Sequence, residues 1–162
     1  MRSIAKLVFV SAVCVSLMAS SALAQLPNPY GMTINGESAR KVATAALAEA
    51  RKQNWNMAVA IVDPAGDLVY FEKLDGTQAA SVTIAIDKAR SSARFKRPTK
   101  ALQDALAAGG AGLRLLGLDG VVPVEGGVPI LMDGRIVGAI GVSGGTSEQD
   151  GQIATAAIAA VK

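Results

Sequence analysis

The sequence contains no histidine, and its only cysteine is Cys14. The lack of histidine excludes Ser-His-Asp hydrolysis, histidine acid–base catalysis at neutral pH and histidine-ligated metal centres. Aromatic residues are scarce, with one tryptophan, two tyrosines and three phenylalanines in the whole chain. Any chemistry must therefore depend on carboxylates, lysine, arginine, tyrosine, hydroxyl groups or the backbone.

Residues 1–24 have the pattern of a secretory signal peptide. Arg2 and Lys6 form a short basic region, Leu7–Met18 is apolar, and Ala22–Ala24 gives a small-x-small cleavage pattern. The apolar run is too short to span a bilayer core of about 30 Å, which disfavours the alternative of an uncleaved membrane anchor. We therefore expect a single domain over residues 25–162, secreted or periplasmic after cleavage.

Cleavage would change the composition of the chain. Cys14 leaves with the signal peptide, so the mature protein has no thiol for a disulfide, a nucleophile or a metal. Arg2 and Lys6 leave as well, so the net charge falls from +3 to about +1. No basic cluster remains that would favour nucleic acid as a partner, and we expect no membrane span in the mature chain.

Hydrophobic periodicity and turn signals divide the mature chain into alternating groups of helices and strands. The predicted helices are Ser38–Gln53, Ser81–Phe95, Thr99–Ala107 and Glu148–Val161. The predicted strands are Met57–Val62, Leu68–Leu74, Val121–Val124, Val128–Met132 and Ile136–Val142. The order α-β-β-α-α-β-β-β-α joins its strands by hairpins, so we predict an α+β fold. Helices would pack on an antiparallel sheet of about five strands.

Glycine pairs flank the last predicted hairpin. Asp133-Gly134 lies between two apolar runs and predicts a tight turn with positive φ at both positions. Gly126-Gly127 precedes the first strand of this hairpin, and Gly144-Gly145 follows the second. Such glycines indicate that the backbone approaches another segment, a ligand or a neighbouring subunit.

Two carboxylates near the end of a predicted strand, Glu72 and Asp75, are the candidates for a metal site. Carboxylate oxygens are the ligands that hard cations prefer, although two carboxylates alone are more often ordinary surface charge.

Four segments resemble the GlcG/HbpS-like haem-binding family. They are AVAIVDPAGDLVYFEKLDG, SVTIAIDKARSSARFKRPT, VPVEGGVPILMDGRIVGAIGVSGGTSEQD and the closing alanine-rich helix. The resemblance as a whole covers about Ser38–Val161. The resemblance implies a profilin-like α+β domain that assembles into homo-oligomers and takes a small-molecule ligand.

The resemblance also implies that one pocket or subunit interface gathers the positions that match the family's motifs. These positions are Asp87, Lys88, Arg97, Pro98, Thr99, Gly126, Gly127, Gly138, Ser143 and Gly144. A competing interpretation places Lys88, together with Arg90 and Arg94, at the solvated basic end of a helix.

Haem is the cofactor that the resemblance implies. Since the chain has no histidine, the candidate iron ligands are Tyr70, Met57 and Met132, with Met32 as a further thioether. Filling of apolar space is the simpler explanation for each methionine.

Three functions remain open at this point. The first is a secreted, oligomeric haem-binding or haem-sensing protein without catalysis. The second is a cofactor-independent enzyme or binding protein for a small oxoacid. It would use Lys88 as the acid–base group and the amides of Gly126-Gly127 and Ser143-Gly144 to hold an oxyanion. The third is a structural assembly module in which a neighbouring subunit fills the space at the glycines.

Overall fold

The computed structural model describes residues 27–159. The predicted signal peptide and the last two residues of the predicted helix Glu148–Val161 lie outside them. The helices are α1 (Gly36–Lys52), α2 (Ser81–Phe95), α3 (Thr99–Ala107) and α4 (Ser147–Ala159). The strands are β1 (Ala58–Val62), β2 (Leu68–Lys73), β3 (Gly127–Met132) and β4 (Arg135–Ser143). A 3₁₀ segment, Gly110–Gly117, follows α3.

The strands form one antiparallel sheet in the order β2-β1-β4-β3. The α+β class is confirmed, but within residues 27–159 the sheet has four strands rather than about five. The predicted strand Val121–Val124 is irregular because its backbone donors have other partners. The amide of Val122 donates to Ser91 Oγ at 2.8 Å, that of Val121 donates to Leu118 O, and Pro123 has no donor.

The hairpin between β3 and β4 has the predicted turn, with φ of 49° at Asp133 and 70° at Gly134. Before α1, the chain adds a short parallel bridge to β4: Gly31 N donates to Ile136 O and Ile136 N donates to Pro29 O. The start of the described chain is therefore tied to the middle of the fold.

The two faces of the sheet are covered differently. Helices α1 and α4 lie on one face of the sheet. Leu47 of α1 and Ile153 of α4 belong to the same core cluster as Ile140 of β4. Helix α2 lies on the other face over a small-residue surface, and its Ala85 and Ala89 pack against Ala60. Small side chains let α2 come close to the sheet, which places its Lys88 directly against β3 and β4. Within residues 27–159, no helix has the length and apolar character needed to cross a bilayer.

Candidate functional site

Lys88 lies in the interior of the domain, so its interpretation as part of a solvated helix end is wrong. The side chains of Lys88 and Asp150 are 1% and 3% exposed, and Lys88 Nζ is 2.6 Å from Asp150 Oδ2. Lys88 Nζ also donates to Val142 O at 3.2 Å. Burial raises the pKa of the Asp150 carboxyl, while the hydrogen bond from Lys88 acts in the opposite direction. The pair joins α2, the end of β4 and α4.

The glycines near this pair make room for segments of the same chain. A side chain at Gly126 would meet Lys88 Nζ and Val142 O, and one at Gly127 would meet Lys88 O. The amide of Gly127 donates to Thr99 Oγ1 at 2.9 Å, and that of Gly145 donates to Asp150 Oδ1 at 3.1 Å. The Gly144 amide is a further hydrogen-bond partner of the Asp150 carboxyl. Of the amides proposed to hold an oxyanion, those of Gly127 and Gly144 thus have internal acceptors, which disfavours an oxyanion site beside Lys88.

The other predicted site residues lie in different surroundings. Ser143 lies buried, with its Oγ 3.2 Å from Ser81 Oγ, and Gly144 lies against Met57. Asp87 is partly exposed and its Oδ1 is 3.5 Å from Arg90 Nη1. Arg97 is exposed and donates to Phe95 O. Lys88, Gly126 and Gly127 therefore lie together, whereas Asp87 and Arg97 make other contacts.

The candidate metal ligands and the candidate phenolate are on or near β2. Asp75 is exposed, and Glu72 accepts a hydrogen bond from the Tyr70 hydroxyl at 2.8 Å. That hydrogen bond raises the pKa of Tyr70, which opposes formation of a phenolate ligand. Among residues 27–159, no group of three or more potential metal-binding side chains of Cys, His, Asp or Glu comes together.

The methionines fall in two environments. Met57 is fully buried and fills the core between the sheet and α1 and α4, so it is closed to a ligand. Met132 and Met32, the latter 90% exposed, line one hollow of about 450 Å³ that also contains Arg135. Of Met57 and Met132, only Met132 therefore has a thioether that a ligand could reach.

An apolar groove lies between β3 and α4, and of its lining residues only Pro98 was among the predicted site positions. It consists of two hollows, each of about 470 Å³, that share the lining residues Pro98, Val128 and Thr155. Because they share these residues, the two hollows are adjacent, and we call them together the β3–α4 trough. Gly151, Thr155 and Ile158 supply the α4 side, at spacings of four and three residues that place them on one helix face.

The trough exists because neither of its walls is covered. Strand β3 is an edge strand, and beyond Val128 it leaves Leu131 partly exposed. A depression of this size and apolar character is typical of a small-molecule site, since such pockets have volumes of about 300–1,000 Å³ and mostly apolar walls.

A family model described as "Haem degrading protein HbpS-like" matches residues 34–159. The chain belongs to the HbpS-like family. Among its relatives, Protein GlcG of Escherichia coli K12 is 34% identical over 110 residues, which are 68% of this chain and 81% of GlcG. The family expected from the sequence is thus confirmed.

Solved structures of HbpS-like proteins have the same fold. The crystal structure of HbpS is 30% identical, with a TM-score of 0.75 over 82% of this chain and 92% of HbpS. A PduOC–haem complex is 29% identical, with a TM-score of 0.72 over 80% of this chain and 95% of PduOC. One of these similar structures therefore holds haem.

Proposed function

We propose that this chain is a secreted, oligomeric protein that binds haem in the β3–α4 trough without catalysis. The observation that carries the proposal is the trough itself, a long apolar depression with a lysine, Lys96, at one end. The similarity to PduOC, which was crystallised with haem, supports the choice of ligand.

The walls of the trough fit a flat apolar ring. Val128, Leu131 and Ile158 offer aliphatic surface, and Pro98 adds a rigid side wall. Burial of apolar ligand area against such side chains contributes about 25 cal/mol per Å². None of Tyr70, Met57 and Met132 lines the trough. We therefore propose that haem is held there by apolar contact and by its propionates, without a ligand from those three residues.

We expect Thr155→Glu to weaken hemin binding by about tenfold or more, which corresponds to about 1.4 kcal/mol or more. Thr155 lines both halves of the trough and is exposed, so the change places a carboxylate against the ring without disturbing the core. Titration of residues 25–162 with hemin, followed at the Soret band, measures the change.

Gln152→Glu is the matched control, because Gln152 is exposed on α4 and does not line either hollow. It should bind hemin as the wild type does. No Soret shift for the wild type would end the proposal of haem binding, and equal affinities for all three proteins would end the placement in the trough.

The proposed absence of catalysis follows from the side chains around the trough. The chain has no histidine, and Lys96 is the one charged residue that lines the half of the trough containing Leu131 and Ile158. Bound hemin kept with ascorbate and oxygen should lose its Soret absorbance no faster than hemin bound to serum albumin. Faster loss, with release of iron, would show that the protein degrades haem.

Secretion is proposed from the pattern of residues 1–24. The sequence predicts cleavage after Ala24, so N-terminal sequencing of the protein expressed from its full sequence should begin at Gln25. A protein that retains Met1 and stays in the cytoplasm would contradict this proposal.

The proposed homo-oligomer would use the 3₁₀ segment and the residues after it. No residue of Gly110–Gly117 is buried, and Leu116 is 70% exposed beside exposed Leu113 and Leu118. Leucines grouped on a surface in this way are typical of a protein–protein contact.

We expect the double variant Leu113→Ser/Leu116→Ser to form smaller particles than the wild type in size-exclusion chromatography with light scattering. Met32→Ser removes a 90% exposed apolar side chain elsewhere and should leave the mass unchanged. A wild-type protein that is already monomeric, or a double variant of unchanged mass, would contradict the role of this surface.

A further inference from the structure

The two ends of the β3–α4 trough carry different charges. In the half that Ile158 and Leu131 line, Lys96 is the one charged side chain. The other half is lined by Lys100, Asp104 and Glu125 and therefore has an excess of negative charge. Lys100 is also paired there, since its Nζ is 2.8 Å from Asp104 Oδ1 and 4.0 Å from Glu125 Oε2.

The position of Lys96 is set by the fold. It ends α2 in the left-handed conformation, with φ of 54° and ψ of 36°. Its Nζ lies 4.1 Å from the centre of the Tyr30 ring, and the Tyr30 hydroxyl donates to Ala93 O at 3.0 Å. The aromatic ring attracts the ammonium group without neutralising it. Among residues 27–159, no carboxylate forms an ion pair with Lys96.

We propose that the trough binds its ligand in one orientation, with the carboxylates of the ligand at Lys96 and the apolar edge towards Asp104 and Glu125. This inference rests on the proposed haem binding and adds a selectivity to it: the site prefers a flat apolar ring that carries carboxylates on one edge. The opposite orientation would place the carboxylates of the ligand beside those of Asp104 and Glu125, and neighbouring negative charges repel each other.

Hemin and hemin dimethyl ester test this orientation, because they share the ring and differ in the charge of the propionates. The wild type should bind hemin about five- to tenfold more tightly than the ester, as expected for a charge-assisted contact at a partly exposed site. Lys96→Asn should lose this preference by weakening hemin binding alone, and asparagine tolerates the left-handed conformation. Lys96→Arg should retain the preference.

Lys73→Asn is the matched control, since it removes an exposed lysine that lines neither half of the trough. It should retain the preference for hemin. Equal affinity of the wild type for the two ligands would overturn the proposed orientation, and so would a Lys96→Asn variant that keeps the preference. Because the comparison of ligands on the wild type needs no variant, the result stands even if Lys96→Asn folds poorly. If neither ligand binds, the proposed function itself fails.

Discussion

Lys88→Met is expected to lower the free energy of unfolding by about 3–5 kcal/mol, the usual effect of removing one partner from a buried ion pair. The change leaves the Asp150 carboxylate inside the domain with backbone amides, those of Gly145 at 3.1 Å and of Gly144, in place of its counter-charge. Asp150→Asn should have a comparable effect, because it leaves the Lys88 ammonium buried with Val142 O. Guanidinium unfolding followed by circular dichroism measures both.

The double variant Lys88→Met/Asp150→Asn distinguishes two contributions to the lost stability: the loss of the ion pair and the cost of leaving one buried charge unpaired. Because it removes both charges, its destabilisation should be clearly smaller than the sum of the two single effects. Lys41→Met is the control for removal of a paired lysine at the surface, where Lys41 and Glu37 are 66% and 69% exposed, and it should change stability little. Additive effects of the two buried substitutions would show that Lys88 and Asp150 are not coupled.

Gly141→Ala is expected to destabilise the fold by about 1–3 kcal/mol or more, because the added methyl group overpacks the interface between α2 and β4. A Cβ at Gly141 would meet the backbone at Ala85 O and Ala89 N, and neither atom can move unless the whole helix shifts. The unfolding midpoint in guanidinium should fall, with little change in the slope of the transition.

Gly36→Ala is a suitable comparison for this substitution. Gly36 begins α1, and no atom lies within 4 Å of the place where its Cβ would be. Alanine is a better helix former than glycine, so this variant should be as stable as the wild type or slightly more stable. Equal destabilisation by the two substitutions would mean that close packing at Gly141 is not the cause.

The helices and the two hairpins, β1–β2 and β3–β4, could be predicted from the sequence because their signals are local. Asp133-Gly134 predicts its turn from two residues, and Ser81 and Thr99 begin their helices where predicted. Val121–Val124 was predicted as a strand because its valines have the right local character. The amide of Val122 instead donates to the side chain of Ser91, which is distant in sequence, and no local pattern reveals this contact.

The candidate site depends even more on distant contacts. Lys88 is followed in sequence by several basic residues, which favoured a solvated position, yet its counter-charge, Asp150, lies 62 residues away. The trough likewise needs Pro98, Val128 and Thr155 to meet from three separate segments. A single sequence does not show which distant residues become neighbours in the fold, so the trough could not be predicted before the fold was known.

The short bridge between Pro29–Gly31 and β4 has a practical consequence for how the protein is produced. Pro27 and Asn28, just before this bridge, form part of the wall of the trough. An unprocessed precursor, or an affinity tag fused ahead of Gln25, therefore continues directly from that wall through only two intervening residues. Ligand measurements should therefore use protein that begins at Gln25, the terminus expected under the proposed secretion.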